Sequence, residues 1–97
     1  MSIAWAAPEV LDHKGTSYAS DVYSFGVLVW EVLCRKLPWA DETCPRDIYI
    51  RVVLREDRPE IPVDSPADMT RVMNACWAGS PQDRPTFSDV TTWQSWE

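Results

Sequence analysis

The chain has 97 residues, 45% of them apolar, and carries a formal net charge of −6. That length allows at most one small domain. The acidity argues against nucleic acid or an anionic membrane surface as a partner, because no basic stripe is present to neutralise phosphates. The longest unbroken apolar run, Phe25 to Trp30, is too short to cross a bilayer. No basic stretch leads into an apolar one at the start, so the sequence shows no secretory signal.

Cys34, Cys44 and Cys76 are odd in number and include no C-x-x-C pair. They read as reduced thiols of a cytoplasmic or nuclear protein. A zinc site needs four clustered ligands, and His13 with three scattered cysteines does not supply them, so no metal site is expected. Eight prolines fall mostly between apolar segments, the pattern of helices joined by irregular connections.

Taken in chain order, the first strong element is a helix from about Ser20 to Cys34, with Ser20 as the N-cap and Asp21 in the first turn. Val22, Phe25, Val29, Val32 and Leu33 share one face at helical spacing, and Tyr23, Val27, Leu28 and Trp30 cover much of the rest. A helix apolar on nearly every side belongs in the middle of a fold. Gly26 in its interior costs about 1 kcal/mol relative to Ala, which points to close approach by a neighbouring backbone. So short a chain has few elements to wrap this helix, so a further covering segment or a protein partner is expected.

Three more helices follow. Pro45 suits the first position of the segment CPRDIYIRVVL, whose apolar side is Ile48, Tyr49, Val52 and Val53. REDRPEIPVD then reads as an extended, proline-fixed connection. In SPADMTRVMNACWAGS, Ser65 is the expected N-cap, Met69, Val72, Met73, Cys76 and Trp77 form the buried stripe, and Gly79 closes the helix. TFSDVTTWQSW repeats the cap pattern with Thr86 and Asp89, burying Phe87 and Val90, with Trp93 and Trp96 packing back on the body. No run of strand-like alternation is present. The expected class is all-α, with four or five helices.

The motifs AAPEV, SDVYSFGVLVWEV, KLPW, DRPEIP and CWAGSPQDRPTFSDV stand in the order and spacing of the last third of a eukaryotic protein kinase domain. The chain resembles the C-terminal half of the helical lobe, from the A-P-E motif to the final helix. The Y-S-F-G and C-W forms resemble the tyrosine-kinase and tyrosine-kinase-like groups. Ser2, three residues before Trp5, leans towards a tyrosine-kinase-like Ser/Thr kinase, with a tyrosine kinase as the alternative.

The resemblance implies roles residue by residue. Glu9 and Arg84 match a structural ion pair, and Asp21 matches an aspartate that holds the backbone of the catalytic loop. In this chain, first-turn stabilisation of its own helix is the favoured role for Asp21. Trp30 and Trp77 read as core. Ser2 and Trp5 match a pocket that reads the residue after the phosphoacceptor, and the segment around Ile48, Tyr49 and Ile50 matches a helix used for docking. The family's ATP and Mg²⁺ are held by a Gly-rich loop, a strand lysine, H-R-D and D-F-G motifs. None of these occurs in the 97 residues, so no cofactor and no catalytic residue is expected here. The sequence therefore reads as an incomplete kinase domain, inactive alone. A stand-alone binding module acting through residues 45–54 is the reading from a different class.

Overall fold

The computed structural model describes residues 3–93, all of whose regular elements are helical. A 3₁₀ turn, Ile3–Trp5, leads into α1, Pro8–Leu11. The long central helix α2 spans Tyr18–Cys34. Next come α3, Pro45–Tyr49, and a π-helical turn that continues it over Ile50–Leu54. After an irregular connection, α4 covers Ala67–Cys76, a 3₁₀ turn Pro81–Asp83, and α5 Phe87–Trp93.

Helix α2 starts one turn earlier than the sequence suggests. Ser17, not Ser20, is the N-cap, and Ser20 stands at the third helical position. The two serines cap each other: the Ser20 N–H donates to Ser17 Oγ at 3.2 Å, and the Ser17 N–H donates to Ser20 Oγ at 2.7 Å. This is a reciprocal capping box with serine in the place usually held by glutamate. The helix ends at Arg35, whose φ of 54° is left-handed and whose N–H donates to the Glu31 carbonyl.

Helix α2 divides the interior in two. Tyr23, Val27 and Trp30 face one cluster with Ala7, Trp39, Ile48, Val52, Met73 and Trp77. Val22 joins a second with Val72, Cys76 and Val90, against which Phe25, Phe87 and Trp93 pack. Gly26 is where α2 and α4 touch: a Cβ placed there would lie 2.8 Å from Cys76 Cβ. Glycine is needed at that position because the helices pack closer than any side chain permits. Phe87 also meets Phe25 and Tyr18 edge-on, with ring centroids 5.3 and 5.4 Å apart.

The caps of α4 differ from expectation at both ends, and that of α5 agrees. Pro66, not Ser65, precedes the first turn of α4, and the Ser65 hydroxyl donates backwards to the Pro62 carbonyl at 2.7 Å. That helix stops at Cys76 with Trp77 as its C-cap, so Gly79 lies beyond it and does not close it. For α5, the Asp89 N–H donates to Thr86 Oγ1 at 3.0 Å and the Thr86 N–H to Asp89 Oδ2 at 3.1 Å. Trp93 packs under Arg71, whose guanidinium lies 4.4 Å from the ring centroid. Trp96 lies outside the described residues.

Candidate functional site

Arg84 is the most completely bonded polar side chain in the fold. It follows the turn Pro81–Asp83 in extended backbone, which sends its side chain back towards α1. The Nη1 and Nη2 groups donate to Glu9 Oε2 and Oε1 at 2.7 and 2.9 Å. Nε donates to the Ala78 carbonyl at 2.8 Å, Nη1 to Ala19 at 3.1 Å and Nη2 to Gly79 at 3.3 Å. All five guanidinium N–H donors are thereby used, which the planar fork of arginine permits and lysine does not. The Arg84 side chain is fully buried.

Glu9 sits in the first turn of α1, where Pro8 starts the helix and a carboxylate is favoured by the local dipole. Burial pushes its carboxyl pKa up, but the Arg84 hydrogen bonds and charge, with its own backbone N–H, outweigh this and hold it below the ordinary value. The pair thus fixes the turn after Trp5 to the residues before α5.

Tyr23 forms the floor of this node. Only 1% exposed, it lies between two guanidiniums, with Arg84 5.1 Å and Arg58 5.3 Å from its ring centroid. Burial pushes its phenol pKa up, and the two positive charges pull against that rise. Arg58 donates from Nε to the Trp77 carbonyl at 2.8 Å and from Nη1 to the Asp57 backbone carbonyl at 2.8 Å. Trp77 itself is core, with its end-of-helix carbonyl held by Arg58. Sequence reasoning missed Arg58. The arginine of the quoted segment DRPEIP was its only signal.

On the opposite side of α2 lies an open groove of about 410 Å³, lined by Trp5, Asp21, Ser24, Phe25, Leu28 and Glu31. Trp5 is held there twice: its indole N–H donates to Glu31 Oε1 at 2.9 Å, and its carbonyl accepts from Ser24 Oγ at 2.8 Å. Glu31 is another residue that sequence reasoning passed over, although it is the lone charge between Val22 and Cys34. Asp21 is exposed, with no side-chain partner among the described residues. Leu28 is 47% and Val32 67% exposed, so a strip of the most apolar helix faces outward.

The residues around α3 do not form one exposed patch. Ile48 is only 7% exposed and belongs to the core, because the first turn of α3 packs inward; it is unavailable for docking. Tyr49 and Ile50 are half-buried, and the Tyr49 hydroxyl donates to Asp12 Oδ1 at 2.8 Å. That bond favours the protonated phenol and raises its pKa. Ser2 lies outside the described residues.

Gly26 is sealed against Cys76, and Gly15 and Gly79 stand apart in separate exposed loops. Lys14 pairs with Asp12 at 3.6 Å. Among the described residues no three side chains cluster as metal ligands, and no helix is long and apolar enough to cross a membrane.

A family model described as protein tyrosine and serine/threonine kinase matches residues 1–93. Receptor-interacting serine/threonine-protein kinase 3 of Rattus norvegicus is 45% identical over 98 residues, covering 91% of this chain and 20% of that protein. The dual specificity protein kinase shkD of Dictyostelium discoideum is 36% identical over 87 residues, covering 89% of this chain and 12% of its own length. Serine/threonine-protein kinase STY17 of Arabidopsis thaliana is 35% identical over 86 residues, covering 89% of this chain and 15% of that protein. The chain therefore spans a fifth or less of the length of these relatives. By these matches, and by an all-α fold built on the A-P-E turn and the central apolar helix, the chain belongs to the protein tyrosine and serine/threonine kinase family.

Proposed function

We propose that these residues are the C-terminal part of the helical lobe of an ATP-dependent kinase of the tyrosine-kinase-like group, directed to Ser/Thr hydroxyls of proteins. Their work in it is structural: the Glu9–Arg84 node braces the turn at Trp5, and α2 offers its open face to the catalytic segment of the lobe. The observation that carries this is the strip Asp21, Leu28 and Val32, an unpaired carboxylate in line with apolar side chains left uncovered. Relatives named as serine/threonine or dual specificity kinases support the choice of hydroxyl. The three cysteines are free, which fits a reducing compartment such as the cytoplasm.

Catalysis by these 97 residues alone is not expected, because phosphoryl transfer depends almost entirely on positioning and electrostatic stabilisation by groups that this sequence does not hold. Two measurements test the reading. The purified chain is assayed for transfer from ATP to Ser/Thr and Tyr peptides, with none expected; measurable transfer overturns the inactivity. The transcript is read upstream for in-frame Gly-rich, H-R-D and D-F-G motifs, and their absence overturns the kinase assignment of the whole.

A second reading, a binding module acting through residues 45–54, rests on Leu54, which is 65% exposed at the end of the π turn. It requires the isolated chain to be soluble and to melt cooperatively.

A further inference from the structure

We draw no further inference here: the strongest candidate, the open concavity of about 540 Å³ between the end of α2 and the π turn, walled by Trp30, Leu37, Trp39 and Pro59, carries nothing because its unpaired Lys36 and Glu60 offset each other in charge and nothing in the structure shows what fills it.

Discussion

Arg84 and Glu9 lie 75 residues apart in sequence and meet through two parallel hydrogen bonds of 2.7 and 2.9 Å. The bidentate geometry fixes orientation as well as distance. Removing the guanidinium leaves the Glu9 carboxylate and the carbonyls of Ala19, Ala78 and Gly79 without their donor. Arg84→Met is expected to cost about 3–5 kcal/mol, the usual penalty for stripping one partner from a buried pair. Arg84→Lys keeps the charge but cannot reach all five acceptors, and should fall between wild type and Arg84→Met. Urea unfolding followed by near-UV circular dichroism measures both. A loss below about 1 kcal/mol for Arg84→Met, the scale of an exposed pair, would show that the node is ornamental.

The same pair sets an acid dependence. The Glu9 carboxyl titrates below 4.5 in the folded chain and near that value when unfolded. Between those two values the unfolded form binds more protons, so stability rises with pH. Its contribution is fully present above pH 4.5 and is lost as the pH falls through the lowered folded value. Glu9→Gln should therefore flatten the acid limb of the stability curve while lowering the plateau at neutral pH. Superimposable acid slopes for the two proteins, measured by chemical denaturation from pH 6 to pH 3, would rule this out.

Gly26 offers a test of helix packing free of charge. Alanine is the better helix former by about 1 kcal/mol, yet its Cβ would lie 2.8 Å from Cys76 Cβ. Overpacking of this kind costs about 1–3 kcal/mol, so Gly26→Ala should be net destabilising. Cys76→Gly removes the opposing atom, so in that background Gly26→Ala should be neutral or favourable. Equal effects in both backgrounds would place the strain elsewhere.

Cys76 also provides a chemical probe. It is fully buried, and burial pushes its thiol up to about 11. The thiolate is the reactive form. In native buffer near pH 8, a disulfide exchange reagent should modify Cys34 and Cys44, both half-exposed, and reach Cys76 only on unfolding. Three thiols reacting at one rate would mean that α4 does not stay docked on α2.

The outward strip of α2 bears on solubility. Leu28→Lys with Val32→Glu alters two exposed positions, where substitutions usually change stability by no more than about 0.5 kcal/mol. The double variant should melt close to wild type but scatter less light on heating, because apolar surface is removed from contact between molecules. Unchanged scattering would show that another surface drives association.

Much of this was legible in the sequence because helical periodicity and tight caps are local properties. The stripe Met69, Val72, Met73 and Cys76 and the Thr86–Asp89 box needed only neighbouring residues to be read. Ser17 and Ser20 were confusable because both are good caps at the right separation, and in the structure each acts on the other. Ile48 was misplaced for a different reason: whether a short amphipathic helix points a given residue in or out depends on residues far along the chain, here the cluster it joins with Ala7 and Met73. Arg58 and Glu31 find their partners 19 and 26 residues away, at separations that no local pattern encodes.

The reach of Arg84 has a consequence for synthesis. A ribosome adding roughly 5–20 residues per second makes Glu9 some 4–15 s before Arg84 exists. Throughout that interval α1 and the start of α2 lack the donor that ties them together, while α2 presents apolar side chains in every direction. The order of manufacture places the clasp last, so the nascent chain passes through its stickiest stage before its own closure is available.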